Sequence, residues 1–447
     1  MTSAPVVQFA SRTDVGMRRA ANQDSNTVRL CSDYEEWSQC GHLFVVADGM
    51  GGHAVGDLAS RITIEALPPA YFKKEATSVE HRLRQAIQSA NKAINDRARE
   101  NREFEGMGTT CSVLTLSDRG AIVGHVGDSR VYRVRHGVIE QLTFDHSLQW
   151  EMIRLGKATA ENVELFHPRN VITRCLGPDP MVQVDIEGPF SVEAGDYFLL
   201  CSDGLTNHVT DSEIGQIVSS LPPAESSRLL INLANCRGGS DNCTVVVVAV
   251  DSYPMTQSGG FQLEGPVKAI TAAGTPRSGG IAKVIVSGLA VVCLLAGIGL
   301  ALSNRKLAAA AFMVAALVAW FFGRRMNKDA QSDDLTLADL TGPPPTSPMI
   351  EEADNASSRS SFRQRSPYRI IEAKLSDGLL SHLAEVQSEL VQAARDSGWK
   401  VDFDELTNLN RQAVSAQQSQ KSDRAIKARA KAIDLLMKEL YARSRNS

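Results

Sequence analysis

Apolar residues fall into three regimes along the chain: short runs cut by turns, two long unbroken runs, and finally a sparse helical spacing. The short runs at 43–47, 111–116, 121–126, 197–201 and 243–250 contain β-branched residues and end near Gly or Asp, which predicts strands. Between them, Val79, Leu83, Ile87, Ala90 and Ile94 share one face of an otherwise polar segment, as in an amphipathic helix covering a sheet. A second helix is expected after Gly56, with Leu58, Ile62 and Ala66 inward and Pro68-Pro69 as its stop. Strands alternating with longer helices predict a layered α+β domain over residues 1–252.

The pattern then changes. Residues 253–280 are rich in Gly, Ser, Thr and Pro and read as a flexible linker. Ile281 to Ser303 carries one charge, Lys283, and Leu307 to Gly323 carries none. Each run is near the length of a bilayer span and lacks a polar face, so 281–323 is expected to form a transmembrane helical hairpin, with a buried core helix as the alternative. Arg277, Lys283, Arg324, Arg325 and Lys328 flank the pair, against Arg305 and Lys306 in the turn. That bias places both chain ends on the cytoplasmic side of the cell (inner) membrane, in a multi-pass arrangement. Residues 324–368, with three consecutive prolines and a Ser/Arg-rich patch, form a second, disordered linker. Beyond it Leu379, Leu383, Val386 and Leu390, then Ile426, Ile433, Met437 and Leu440, mark a helical C-terminal region over 369–447. Gly398 could end its first helix, and a helical hairpin or a short coiled coil is expected.

Composition narrows the function class. At 447 residues the chain exceeds one ordinary domain, and its net charge of −4 gives no nucleic-acid-binding surface. The eight cysteines show no C-x-x-C and no metal spacing, so they read as small buried hydrophobes in a reducing compartment. The first residues lack a basic flank followed by an apolar stretch, so no cleaved signal peptide is expected.

Carboxylates carry the chemistry. Asp48 ends the run Leu43-Phe44-Val45-Val46-Ala47 and is followed by three glycines within four residues. Asp128 sits in Gly127-Asp128-Ser129-Arg130, Asp203 follows Leu199-Leu200-Cys201-Ser202, and Asp241 precedes the strand from Cys243. Asp24 lies shortly after Arg18-Arg19. Any one of these could be a turn residue; several at the ends of apolar strands, without a matching array of basic residues, point to cations. Oxygen ligands without His or thiolate select Mg²⁺ or Mn²⁺ over zinc. Two such ions can bridge a water, lower its pKa and aim it at phosphorus. Arg19 then reads either as a fork for phosphate oxygens or as a surface charge, and both readings stay open on the residues alone.

In order along residues 8–251, these segments resemble the protein phosphatase 2C family of metal-dependent Ser/Thr phosphatases, in its bacterial branch. The resemblance is carried by Asp14-Val15-Gly16-Met17-Arg18-Arg19 with Asn22-Gln23-Asp24-Ser25, by Val46-Ala47-Asp48-Gly49-Met50-Gly51-Gly52-His53, and by Gly108-Thr109-Thr110. It continues through Gly124-His125-Val126-Gly127-Asp128-Ser129-Arg130, Leu142-Thr143-Phe144-Asp145-His146-Ser147 and His167-Pro168-Arg169-Asn170. Thr173-Arg174-Cys175-Leu176-Gly177, Leu200-Cys201-Ser202-Asp203-Gly204-Leu205 and Asp241-Asn242-Cys243-Thr244 complete the set.

The resemblance implies a four-layer α-β-β-α sandwich of two antiparallel sheets, with metals in a cleft at one end. It implies that Asp48 bridges two ions, that the Gly49 carbonyl serves the second, and that Asp203 and Asp241 complete the first. Asp128, with Asp203, matches a third-metal position, and Arg19 matches the phosphate-binding arginine. Residues 146–175 match a flap beside the cleft. Two departures stand out. Gln23 replaces the family's usual glutamate, leaving Asp24 as the carboxylate near the second metal. Met50 stands where eukaryotic members carry a histidine, so a water would protonate the leaving group; His53 at a helix start reads as structural.

The expected activity is therefore hydrolysis of phosphoserine and phosphothreonine in proteins, by direct attack of a metal-activated water, from a membrane-anchored enzyme. Phosphorylated proteins and a Ser/Thr protein kinase counterpart are the expected partners. The competing expectation is an inactive phosphatase-like membrane scaffold that binds phosphoproteins.

Overall fold

The computed structural model describes residues 4–51, 54–73, 78–159, 163, 168, 171–253 and 369–444. The apolar runs at 281–303 and 307–323, the linkers at 254–280 and 324–368, and His53 lie outside the described residues. Among the described residues, no helix is long and apolar enough to cross a membrane.

One compact unit takes in Met1–Phe261 together with Ser358–Ser447. Its elements in chain order are β1 (Val6–Asp14), β2 (Asp24–Arg29), α1 (Tyr34–Cys40), β3 (His42–Met50), α2 (Ala54–Tyr71), α3 (Val79–Glu100), a short 3-10 turn, β4 (Gly108–Thr109), β5 (Cys111–Ser117), β6 (Gly120–Val126), β7 (Arg130–Arg135) and β8 (Val138–Gln141). There follow α4 (Leu148–Arg154), β9 (Asp185–Phe190), β10 (Tyr197–Cys201), α5 (Asp203–Thr206), α6 (Asp211–Ser220), α7 (Pro223–Cys236) and β11 (Cys243–Ser252). The C-terminal region supplies β12 (Ile370–Glu372), α8 (Asp377–Asp396), α9 (Phe403–Gln418) and α10 (Ser422–Ser444). All five expected strands are present, as β3, β5, β6, β10 and β11.

Two six-stranded antiparallel sheets form the centre. One has the order β1-β11-β10-β7-β8-β12; the other runs β2-β3-β5-β6-β9, with β4 on the end of β3. Strand alternation sorts the core into layers. Phe44, Val46, Leu114, Val131, Phe198, Leu200, Val246 and Val248 pack between the sheets. Leu43, Val45, Val113 and Ile122 point the other way, onto α2 and α3. Leu199, Cys201, Val245 and Val247 face α6, α7 and the C-terminal helices. The result is the α-β-β-α layering that the resemblance implied.

The helices follow local rules, with two corrections. Ser78 caps α3, whose expected face of Val79, Leu83, Ile87, Ala90 and Ile94 is buried throughout. In α2 the buried face is Ala59, Thr63, Leu67 and Tyr71, one position round from the expected Leu58, Ile62 and Ala66, which are only partly buried. Pro68 and Pro69 do not stop this helix. They sit in its last turn, where Phe72 N–H still reaches the Pro68 carbonyl (3.0 Å), so the break falls after them.

The C-terminal region also differs from a simple hairpin. Ser376 caps α8, and Gly398 with φ +59° ends it while Trp399 N–H returns to Ala394 carbonyl (2.8 Å). A third helix, α9, intervenes, capped by Asp402 and buried through Leu406, Leu409, Ala413 and Ala416. Its inward face is half alanine, which weakens the apolar period. The whole region packs on the first domain. β12 extends the sheet beyond β8, pairing Ile371 with Ile139. Ala373 lies against Gly215 and Ile139, and Arg228 of α7 pairs with Asp434 of α10 (2.9 Å). The seven described cysteines are free, five of them buried, as expected for small hydrophobes.

Candidate active site

Strand order brings the acidic residues to one end of the sandwich. Asp24 opens β2 and Asp48 lies near the end of β3, and the antiparallel register sets them directly opposite each other. Asp128 lies in the turn between β6 and β7, Asp203 follows β10, and Asp241 precedes β11. Because these strands alternate in direction, the end of one and the start of its neighbour share an edge. Five residues scattered over more than two hundred positions thus meet.

Burial and mutual repulsion set their electrostatics. Desolvation, followed by the nearby Asp203 and Asp241 charges, pushes the Asp24 carboxyl up to about 7, although the Ser202 hydroxyl donates to it at 2.7 Å. Asp48 is pushed well above its usual range by desolvation and then by Asp24, Asp203, Asp128 and Asp241. Asp128 rises to about 8 through desolvation, Asp203 and Asp145, opposed by Arg130. Asp203 also rises through desolvation and Asp241, while the Asn207 amide holds its other oxygen at 3.1 Å. One oxygen of Asp24 and one of Asp203 are buried with no hydrogen-bond partner. Among the described residues no three acidic side chains share a single ligation point.

The backbone around the cluster is tightly held. The Asp48 N–H donates to the Thr110 hydroxyl (2.9 Å), and the Asp48 carbonyl accepts from Thr110 N–H and the Thr109 hydroxyl (both 2.8 Å). Gly49 N–H donates to the Gln23 carbonyl at 3.1 Å. A Cβ on Gly49 would overlap the Gly56 carbonyl oxygen, so this glycine first serves close packing of β3 against the start of α2. Met50 is half-buried beside Gly108.

Arg19 extends from the β1–β2 loop and is half-exposed; its Nη2 donates to Asp241 (2.7 Å) and its Nε to the Ser240 carbonyl (3.4 Å). The structure therefore joins Arg19 to the acidic cluster rather than leaving it a lone surface charge. Gln23 donates through its side-chain amide to the Gly51 carbonyl (3.3 Å), tying the β2 entry to the loop after Asp48. A glutamate there has no donor for that bond.

Two residues near the cluster carry more than the sequence alone suggested. Asn242 accepts from Gln23 N–H (2.8 Å) and donates to the carbonyls of Val15 (2.9 Å) and Ala21 (3.0 Å), pinning both ends of the Arg19 loop. Ser202 links Thr244 N–H (2.9 Å) to Asp24. Each stands beside a predicted carboxylate, and that adjacency was the available signal. Of the flap at 146–175, the described part includes α4, which is tied down by Leu148 N–H to the Val171 carbonyl (2.9 Å).

Known proteins match this half of the chain. Residues 18–230 match the family model described as protein phosphatase 2C. Protein phosphatase PhpP of Streptococcus pneumoniae is 37% identical over 254 residues, covering 55% of this chain and 98% of that protein. The chain belongs to the protein phosphatase 2C family. Its first compact unit carries a metal-dependent Ser/Thr protein phosphatase domain of the 2C type, which takes a divalent cation, Mn²⁺ or Mg²⁺, as cofactor. The solved serine/threonine phosphatase of S. agalactiae is 34% identical, with 55% of this chain and 100% of that chain covered and a TM-score of 0.50. The catalytic domain of the serine/threonine protein phosphatase PstP, solved in complex with two manganese ions, is 33% identical over 55% of this chain and 98% of its own, with a TM-score of 0.47.

Proposed function

We propose that this phosphatase works with two divalent cations, Mn²⁺ or Mg²⁺, with a third-metal position, and that Asp24, Asp48, Asp128, Asp203, Asp241 and the Gly49 carbonyl hold them. The observation that carries the reading is the buried carboxylate cluster, with unpartnered oxygens on Asp24 and Asp203. Uncompensated buried charges are costly, and an all-oxygen donor set answers to hard cations. When bound, such cations lower the pKa of a water and supply the nucleophile for attack on phosphorus. Arg19, held beside Asp241 at 2.7 Å, binds and orients the phosphate oxygens through its guanidinium. Thr109, Thr110 and Asn242 keep Asp48 and the Arg19 loop fixed, so that orientation is built in before substrate arrives.

Replacing Asp203 with Asn tests this. Asp203→Asn should abolish Mn²⁺-dependent release of phosphate from a phosphothreonine peptide and leave the far-ultraviolet circular dichroism unchanged; wild-type turnover in that variant would refute the ligand assignment. Mn²⁺ is the ion to supply first, since it is the one named for the PstP catalytic domain.

The same proposal places the enzyme at the cell (inner) membrane through 281–303 and 307–323, with the phosphatase domain and the C-terminal region in the cytoplasm. The apolar runs and their basic flanks support that placement. Its substrates are then phosphoproteins made by a Ser/Thr kinase of the same compartment. Full-length protein in the soluble fraction without detergent would refute the anchoring. The inactive-scaffold alternative rests on Gln23 alone, and the retained Asp48, Asp203 and Asp241 weigh against it, since clustered buried carboxylates are costly.

A further inference from the structure

The C-terminal helices do more than cover a face of the sheet. At the far end of α10, the Tyr441 hydroxyl donates to the Asn232 side-chain oxygen (2.9 Å) and accepts from the Asn235 amide (2.9 Å). That same amide donates to Asp14 Oδ1 at 2.9 Å. Both amide hydrogens of Asn235 are therefore committed, one to the C-terminal region and one to the end of β1. Asp14 Oδ1 in turn accepts from Gly16 N–H (2.9 Å), which starts the loop that carries Arg19.

The loop is clamped from the other side as well. Met17 and Arg18 N–H groups both reach the Gly239 carbonyl, at 2.8 and 3.2 Å. Gly239 lies just past the end of α7, the helix that holds Asn235. Gly16 adopts φ +80°, and a Cβ on it would overlap the Asp241 carbonyl oxygen, so the loop has little room to settle elsewhere. One short path thus joins Tyr441, Asn235, Asp14 and Gly16 to Arg19, whose guanidinium meets Asp241 at 2.7 Å.

We propose that the C-terminal region positions the Arg19 loop through the Tyr441 hydroxyl, which makes Tyr441, Asn235 and Asp14 positioning residues for phosphate recognition. The inference rests on the reading of Arg19 as the phosphate-binding side chain. Without the hydroxyl, one Asn235 hydrogen loses its acceptor and the amide is free to rotate. Rotation by half a turn sets an oxygen against Asp14, and the anchor of Gly16 is lost.

The test uses full-length protein in detergent and the variant Tyr441→Phe. Two measurements separate the coupling from the enzymology. Hydrogen exchange should rise severalfold at the Met17 and Arg18 amides, with the strands β5 and β10 unchanged. Steady-state hydrolysis of a phosphothreonine peptide with Mn²⁺ should show KM raised about three- to tenfold and kcat within about twofold. In an Arg19→Ala background, Tyr441→Phe should leave KM where Arg19→Ala alone put it. Asn232→Ala, which removes the other bond of the same hydroxyl but nothing that touches Asp14, should leave both readouts as in the wild type. Unchanged exchange at 17–18, a rise spread evenly over the strands, or an equal KM effect from Asn232→Ala would each overturn the proposal. A wild type that hydrolyses no phosphopeptide overturns the reading of the function instead, and the exchange data still decide the coupling.

Discussion

The carboxylate cluster makes a sharp prediction about stability in chelator. Asp24 is buried, and its carboxyl is raised from 3.8 to about 7 by desolvation and by its acidic neighbours. A folded-state pKa above the unfolded value means that the native state binds the proton more tightly. The Asp24 contribution to stability is then most favourable below pH 4, falls as pH rises towards 7, and stays low above it. A rise of that size sets a ceiling of about 4 kcal/mol at pH 7.5. Because Asp48, Asp128 and Asp203 share the strain, about 2 kcal/mol is the expected gain on neutralising Asp24 alone. Asparagine keeps an oxygen for the Ser202 hydroxyl and puts a donor where Asp24 now has an unpartnered oxygen. Urea denaturation of Asp24→Asn in EDTA should therefore show a stability higher than wild type by about 2 kcal/mol at pH 7.5, with the difference closing near pH 4. Adding Mn²⁺ should reverse the order, because cations bind the native wild type and stabilise it by mass action. A variant less stable than wild type in EDTA at pH 7.5 would refute the argument that these carboxylates repel one another.

Further outcomes follow from other contacts. Gly49→Ala should lose soluble folded protein, or several kcal/mol of stability, because its methyl overlaps the Gly56 carbonyl; a normal thermal midpoint would show that β3 and α2 can separate. Although burial alone would raise Glu213, hydrogen bonds from Arg237 and Thr210 pull its carboxyl down to about 2. Its stabilisation is complete above about pH 4.5 and is lost as pH falls towards 2, so Glu213→Gln should cost about 1–2 kcal/mol at pH 7 and flatten the acid limb of a pH–stability curve. Gly215→Val should drive a side chain into Ala373, whose Cβ would already lie 2.5 Å from a Cβ at 215. Limited proteolysis should then cut the C-terminal region faster while phosphatase activity at saturating substrate persists; unchanged cleavage would place the docking energy elsewhere.

Much of the site was legible because its signals are local. An apolar strand that ends in a carboxylate can be read from five or six residues, as at Asp48 and Asp203. What could not be read is which strands lie side by side. The opposition of Asp24 and Asp48 depends on the register of β2 against β3, and Asn242 reaches across from β11 to a loop more than two hundred residues earlier. The prolines of α2 misled because each lacks an N–H and is disfavoured in a helix interior, yet the helix runs on past them to Tyr71 and ends within the same turn. The docking of the C-terminal region was hidden for a different reason. Its contacts rest on Gly215, Ala373 and Cys236, small residues that belong to no apolar period. One trace was present: α10 buries Ala425, Ala428, Ala432 and Leu436 as well as Ile426, Ile433 and Met437, an arc too wide for a single partner.

The pairing of β12 with β8 has a consequence for synthesis. The strand that completes the first sheet arrives more than a hundred residues after β11 has closed the rest of it. At about 5–20 residues per second, the ribosome leaves the edge of β8 open for roughly ten seconds. An unpaired edge invites pairing with other chains, and β8 limits that risk by being only four residues long. The nascent phosphatase domain therefore passes through a stage with its sheet unfinished and Tyr441 not yet made. A chain that stops early would remain at that stage.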